Sequence, residues 1–221
     1  MSEASFHALV LAKAPVAGRV KTRLGADVGM QTAAVLASAA LADTLAACVE
    51  AVGAQHCHLS LAGDLADAVD APRLLSLAEG WRVRPQVDGD LGARIAHAVG
   101  EVSGPVVQVG MDTPQVTPEL LRQVAAGLAE HDAVLGEAQD GGWWVLAVRD
   151  PALAEALREV PMSTPTTYAD TRAALVAAGA RVGTAPVLRD VDTVPDADAV
   201  AAQVPHSTFA AAWRETGATS R

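Results

Sequence analysis

Lysine is almost missing from this chain: of its 221 residues, only Lys13 and Lys21 carry an ammonium group. Cysteine is as scarce, with Cys48 and Cys57 alone, both in apolar stretches. Two thiols cannot frame a disulfide scaffold or complete a zinc site by themselves. No uninterrupted apolar run reaches the ~18 residues of a membrane-spanning helix. The opening Met1-Ser2-Glu3-Ala4-Ser5-Phe6 does not follow the basic-then-apolar layout of a secretory signal. These absences lead us to expect a cytoplasmic protein with no membrane partner. No internal repeat, low-complexity block or linker stands out either. A single domain over residues 1–221 is therefore expected, with the tail from Pro205 to Arg221 loosely specified and fraying.

What is present is apolar and acidic. Hydrophobic residues make up 51% and charged ones 19%, a balance that excludes intrinsic disorder. Sixteen basic residues against twenty-six acidic give a net charge of -10, which argues against nucleic acid as a partner. Against that background both lysines fall in one loop, with Arg19 and Arg23 beside them. The clustering marks a local anion site on an acidic body.

Short apolar runs alternate with helical patterns. Strands are predicted over 6–12, 56–61, 82–87, 106–109, 133–138, 143–148 and 181–188. Helices are predicted over 31–52, 65–79, 91–102, from Thr117-Pro118, from Thr164-Pro165 to about 178, and over 197–203. Thr117 reads as an N-cap ahead of proline at the first helical position, and Asp90 as another N-cap. The order predicts a three-layer α/β/α sandwich with a mostly parallel sheet. Residues 133–138 and 143–148 are joined too tightly for a parallel crossover and should supply an antiparallel element.

In open α/β sheets, ligands bind beyond the C-terminal ends of the strands. Four segments there are chemically unusual. The first, Lys13-Ala-Pro15-Val-Ala-Gly18-Arg19-Val-Lys21-Thr-Arg23-Leu24, suits a phosphate through its cations and the backbone near Gly18. It is not a Walker A loop, since Val20 precedes Lys21, and it carries no Rossmann glycine triplet. The second, Gly110-Met111-Asp112-Thr113-Pro114, puts a carboxylate at a strand tip, fit for a divalent cation or a sugar hydroxyl, or simply for a turn. The third, Asp140-Gly141-Gly142-Trp143-Trp144, allows a tight turn or close backbone approach; one tryptophan faces inward by strand alternation. In the fourth, Asp190-Val191-Asp192-Thr193, the two acids point the same way if the segment is extended, which is costly without a cation. Between these lies Gln86-Val-Asp88-Gly89-Asp90-Leu91-Gly92-Ala-Arg94, a glycine-spaced loop entering a helix. The six histidines show no ligand spacing except His56-Cys57-His58, which reads as structural. No Gly-x-Ser-x-Gly elbow or Ser-His-Asp order supports a hydrolase.

Taken in order, Lys13-x-Pro15-x-x-Gly18-x-x-Lys21-Thr-Arg-Leu24, Gly89-Asp-Leu-Gly-x-Arg94, Gly110-x-Asp112-x-Pro114, Asp140-Gly-Gly-Trp and Asp190-x-Asp192-Thr resemble a family of small bacterial transferases. These are described as glycosyltransferase-A-like, or radical-SAM/selenodomain-associated, transferases, and the match spans about residues 8–193. The resemblance implies the nucleotide-diphospho-sugar transferase fold, shared with molybdenum-cofactor and 2-phospho-lactate guanylyltransferases. It also implies a metal-dependent transferase with a nucleotide or nucleotide-sugar donor and a small-molecule acceptor. Glycosyl transfer from a nucleotide-diphosphate-sugar is the first reading. Nucleotidyl transfer from a nucleoside triphosphate to a phosphorylated small molecule is the second, and a non-catalytic nucleotide-binding protein the third.

Carried over by position, the resemblance implies nucleotide and phosphate binding by Lys13, Pro15, Gly18, Arg19, Lys21, Arg23, Gln86, Gly89, Gly92 and Arg94. It implies Mg²⁺ or Mn²⁺ on Asp112 and Asp192, with Asp190 beside them, and catalytic work by Lys21, Asp112 and Asp140. Met111 and Met162 depart from the small and aromatic residues usual in that family. The oligomeric state is left open.

Overall fold

A computed structural model of the chain describes residues 6–218. The reading of Met1–Ser5 and the last three residues of the predicted tail therefore lie outside the described residues. Seven strands form one sheet: β1 (His7–Lys13), β2 (Cys57–Ala62), β3 (Arg82–Pro85), β4 (Val106–Val109), β5 (Ala133–Ala138), β6 (Trp143–Val148) and β7 (Val182–Leu188), in the order β3-β2-β1-β4-β6-β5-β7. All neighbouring pairs are parallel except β4–β6 and β5–β6, so β6 runs against the rest. The antiparallel element expected from the short 139–142 connection is this strand.

Strand alternation sorts the core into two faces. On β1, Ala8, Val10 and Ala12 point into one cluster, and Leu9 and Leu11 into the other. The first face is covered by α2 (Met30–Val52), α3 (Ala71–Leu77) and α5 (Pro118–Ala126). The second is covered by α4 (Leu91–Gly100), α6 (Thr167–Ala177) and a 3₁₀ segment over Pro151–Glu159. The fold is thus mixed α/β with helices on both faces of a mostly parallel sheet, as the alternation predicts. Thr117 and Asp90 cap their helices, their side chains accepting from the N–H groups of Leu120 and Ala93.

Several elements differ from the sequence reading. The basic loop ends in a short helix, α1 (Thr22–Val28), that apolar periodicity did not reveal. The predicted 65–79 helix is broken, because Asp70 takes a left-handed conformation (φ 57°) and Pro72 starts α3 afresh. Thr164-Pro165 does not start a helix. Ser163 adopts φ 61°, the Thr167 hydroxyl accepts from the Thr164 N–H, and α6 begins only at Thr167.

The tail is not loose either. After α7 (Val194–Gln203), α8 (Thr208–Thr216) is capped by Ser207 and buries Phe209 and Trp213 against Leu36 and Ala40 of α2. Asp43 of α2 accepts from the N–H groups of Thr208 and Phe209 at 2.9 and 2.8 Å, an anion at a helix N-terminus. The sequence reading missed it because the apolar residues of α8, four apart, occupy barely two turns.

By length and composition α2 is apolar enough to cross a membrane, although Gln31, Thr32 and Asp43 interrupt any continuous apolar run. It lies 72% buried inside the protein.

Candidate active site

The C-terminal ends of β1, β3 and β4, the start of β6 and the segment after β7 surround a cavity of about 870 Å³. Lys13, Arg19, Lys21, Arg23, Gln86, Arg94, Asp112, Asp140, Asp190 and Asp192 all line it. The structure thus brings together side chains from all four unusual segments and from the loop after β3. It does not bring in Pro15, Gly18, Gly89 or Gly92. Pro15 is buried, and its carbonyl accepts from the Val69 N–H. Gly18 forms a turn at φ 77°, and Gly89, at φ 126°, packs near Ala93. Gly92 serves helix packing: a Cβ there would lie 2.3 Å from the Leu157 carbonyl oxygen, a contact that only glycine permits.

Lys21 is the pivot. It precedes α1 in a left-handed conformation (φ 46°, ψ 44°), unfavourable for a side chain of its size. That backbone delivers its ammonium to Asp112 Oδ2 at 2.7 Å and Asp192 Oδ1 at 2.8 Å. Burial alone would lower the lysine's pKa, but the two carboxylates outweigh it and hold the pKa above the ordinary lysine value. Burial likewise works to raise the pKa of Asp112, and Lys21 reverses that too, leaving it below the usual carboxylate range. Arg23 approaches Asp192 at 3.7 Å. Lys13 and Arg19 have no acidic partner among the described residues.

The acids are held firmly from behind. The Val191 N–H donates to the Asp112 carbonyl at 3.1 Å, tying the loop after β7 to the loop after β4. The Gln115 amide donates to the Arg189 carbonyl at 3.0 Å. Asp196 accepts from the Asp192 and Thr193 N–H groups and closes a capping box on α7. Val191 is buried between Asp190 and Asp192, so the two carboxylates do face one way. Of the acids beyond, Asp196 belongs to that capping box and Asp198 accepts from the Trp213 indole N–H; both are structural.

Asp190 is the uncompensated acid. Its Oδ1 is buried without a hydrogen-bond partner among the described residues. Burial first, then Asp112, Asp140 and Asp192, with Lys21 opposing, push its pKa up to about 8. Among the described residues no three His, Cys, Asp or Glu side chains are gathered tightly enough to hold a metal ion as they stand. The space between Asp112 and Asp192 is taken by the Lys21 ammonium. The donor set nevertheless fits a hard divalent cation: hard carboxylate oxygens on rigid loops, one of them orphaned and short of positive charge.

Asp140, Trp143, Arg94 and Gln86 add to the lining. The Asp140 Oδ1 accepts from the Gly142 N–H at 2.8 Å. The loop is pinned by Gly141, where φ is 90° and a Cβ would fall 2.1 Å from the Pro165 carbonyl oxygen. Trp143 lines the cavity and donates its indole N–H to Thr171, whereas Trp144 is the inward tryptophan, 2% exposed, bonded to the Pro186 carbonyl. Arg94 is steered by a bond from its Nε to the Gly89 carbonyl. Gln86 donates both amide hydrogens, to the Ala12 and Ser60 carbonyls, leaving its own carbonyl oxygen for a ligand. Met111 finds a use as well, its thioether accepting from the Lys13 N–H at 3.2 Å.

The Met162 segment, marked in the sequence as a departure from the family pattern, lines the cavity with Ser163, Thr164, Pro165 and Thr167. Two lining features escaped the sequence reading: the apolar wall of Leu11 and Ile95, and Gln108. Gln108 sits mid-strand on β4 and is 2% exposed, with a buried and unpartnered Oε1. Its signal was available, a lone amide within Val106-Val107-Gln108-Val109.

Residues 44–164 match the model of a family described as uncharacterized proteins conserved in bacteria, DUF2064. No curated protein sequence matches the chain. Among solved structures, the chain is similar to a candidate nucleotide-diphospho-sugar transferase from Desulfovibrio desulfuricans G20, at 26% identity and TM-score 0.82 over 98% of this chain and 96% of that one. It also resembles a cytidylyltransferase from Leptospira borgpetersenii serovar Hardjo-bovis (12% identity, TM-score 0.60, 97% and 94% covered). A third is Rv0371c from Mycobacterium tuberculosis H37Rv, solved with manganese (20% identity, TM-score 0.50, 88% and 97% covered). The last two likenesses are likenesses of fold.

Proposed function

The chain belongs to the DUF2064 family, and from that premise we propose that it is a nucleotide-dependent transferase acting in the 870 Å³ cavity. The reading rests on one observation: unpaired cations of the β1 loop and a cluster of four aspartates line the same cavity at one rim of the sheet. Its similarity to the Desulfovibrio protein over nearly the whole chain supports it.

Glycosyl transfer from a nucleotide-diphosphate-sugar is the finer reading we favour. Lys21 is committed to Asp112 and Asp192 and Arg23 leans on Asp192, so Lys13 and Arg19 are the loop cations left for phosphate. Two such charges match a diphosphate diester better than a triphosphate. In this scheme Lys13 and Arg19 hold the diphosphate, and the Gln86 carbonyl is placed to accept from the nucleoside. Trp143 presents a ring face to the transferred group or the acceptor. An acceptor hydroxyl bonds to the anomeric carbon as the carbon–oxygen bond to the diphosphate breaks. Its proton passes to the free Oδ2 of Asp140, and the nucleoside diphosphate leaves. Asp112, Asp190 and Asp192 are the residues that would hold Mg²⁺ or Mn²⁺, which when bound supplies positive charge to the phosphate oxygens.

Nucleotidyl transfer is the second reading. Should a divalent cation displace Lys21 from its acids, Lys21 and Arg23 would join Lys13 and Arg19, and four cations suit a triphosphate. The test is a thermal-shift panel of nucleoside triphosphates and nucleotide-sugars, with and without Mn²⁺. We expect stabilisation by a nucleotide-sugar that grows with Mn²⁺ and is lost in Lys13→Gln/Arg19→Gln. Stabilisation by triphosphates alone would favour the second reading. No shift with any nucleotide under either condition would overturn both.

A further inference from the structure

A second cavity, of about 280 Å³, lies on the α4 side of the sheet, lined by β1, β2, β3 and the C-terminal end of α4. Strand register builds its floor. Leu9 of β1, His58 of β2 and Arg82 of β3 form one cross-strand row, and Leu11, Ser60 and Arg84 the next. The C-terminal half of α4 adds His97, Ala98 and Glu101. A sheet covered on both faces ordinarily carries apolar residues at its interior strands. Here β2 carries a histidine and a serine instead, 7% and 5% exposed.

These buried groups are not spent on the protein. His58 shares one ring nitrogen, Nε2, with His7 Nδ1 at 3.0 Å, and its Nδ1 has no partner among the described residues. The Ser60 hydroxyl has none among them either, although both residues line the cavity. Arg82 and Arg84, two residues apart and so on one face, have no carboxylate or carbonyl partner among the described residues, in a chain with a net charge of -10. Arg23, Arg122, Arg149, Arg158, Arg181 and Arg189 pair with acids, whereas Arg19, Arg73, Arg94, Arg172 and Arg214, like Arg82 and Arg84, have no acidic partner among the described residues. What sets Arg82 and Arg84 apart is the buried, polar cavity beside them. The positive field is felt within the cluster. Burial first, then His7, Arg82, Arg84 and His56, push the His58 pKa down to about 4, and Arg82 acts on His7 in the same sense. The one acid at the rim, Glu101, is 4.0 Å from His97 Nε2.

We propose that this second cavity is a binding site for a tetrahedral oxyanion of the phosphate class, held by the Arg82 and Arg84 guanidinium groups, the Ser60 hydroxyl and His58 Nδ1. Two planar forks, a hydroxyl and an imidazole N–H supply donors in several directions. That suits the spread oxygens of a phosphoryl group better than a flat carboxylate. The site is separate from the large cavity but shares α4 with it: Leu91, Arg94 and Ile95 face the large cavity, His97 and Ala98 the small one. Arg84 is also two residues from Gln86.

The test is an NMR titration of the histidine ring resonances of the full chain at neutral pH and constant ionic strength, with His58 assigned from His58→Gln. Inorganic phosphate is expected to move the His58 ring signals saturably, while sodium chloride does not. Arg82→Gln/Arg84→Gln, two exposed changes on an edge strand, should weaken the affinity at least about tenfold. Lys13→Gln/Arg19→Gln should leave the His58 response unchanged. A parallel titration with glycerol 3-phosphate separates the two sources of this chemistry: tighter binding than phosphate marks a phosphate ester, equal or weaker binding the free ion. His58 signals that stay still with both phosphates, that move equally with chloride, or that respond undiminished in the arginine variant would overturn the proposal.

Discussion

Replacing Lys21 with methionine keeps the length and apolar bulk of the side chain and removes only the charge that sits between Asp112 and Asp192. Removing one partner of a fully buried ion pair costs about 3–5 kcal/mol, because the other is left charged and unpaired. This site is only half buried. The lysine side chain is 10% exposed, but those of Asp112 and Asp192 are 36% and 40% exposed, so water still screens the acids. The expected loss at neutral pH is therefore about 1–2 kcal/mol, or roughly 2–8 °C in melting temperature for a chain of this size. Acid should narrow the gap. In the native protein Asp112 lies below its ordinary range, so its contribution is present at neutral pH and lost only as the pH falls through that depressed value. Without Lys21, burial dominates, the Asp112 pKa rises, and the variant gains stability on mild acidification. Manganese should stabilise Lys21→Met more than the native chain, since no ammonium then competes for the two carboxylates. Urea or thermal denaturation of both proteins with and without Mn²⁺ checks all three statements. A variant as stable as the parent, and no more responsive to Mn²⁺, would refute the reasoning.

Other perturbations have equally definite outcomes. Gly92→Ala would press a methyl group against the Leu157 carbonyl, shift α4, and cost about 1–3 kcal/mol by chemical denaturation, with nucleotide affinity falling as Arg94 moves. Trp213→Ala should cost about 3–5 kcal/mol in the same assay, because that ring is 4% exposed and anchors α8. Gln108→Leu should leave stability unchanged or raise it by about 1 kcal/mol, since it removes a buried unpartnered carbonyl, while raising the KM for whatever ligand reaches the cavity floor. His58 is depressed from 6.5 to about 4, so the unfolded chain binds the extra proton between those values. Stability should therefore drop as the pH falls from about 6.5 to about 4, by at most about 3 kcal/mol, and urea midpoints of His58→Gln should show a shallower slope there.

The sheet was readable because its strands obey simple patterning. Val106–Val109 and Trp143–Val148 are buried runs bounded by turn residues, and the four-residue link before β6 allows only an antiparallel return. The cavity's acids and cations were readable for a different reason: charge at the end of an apolar strand is conspicuous. What sequence could not convey was who pairs with whom. Lys21 looked like a free phosphate ligand, and only the left-handed turn before α1 shows it aimed at two aspartates 91 and 171 residues away. Gly92 fitted a ligand-binding loop by spacing, yet its missing side chain accommodates Leu157 across a helix contact. Gln108 and the Arg82–Arg84 pair drew no notice because a single polar side chain in a strand carries no periodic signal. Their meaning comes from partners they do not have.

The burial of α2 has a consequence for how the chain comes into being. Its first-half residues Leu36, Ala39 and Ala40 are covered by Phe209 and Trp213, which leave the ribosome long after α2 itself. Until α8 is made, this strip of α2 has no cover, while the rest of its apolar face packs on the sheet, α3 and α5. Chains that stop short of α8 are expected to aggregate or to stick to lipid, so Phe209 and Trp213 act as the cover of this strip of α2.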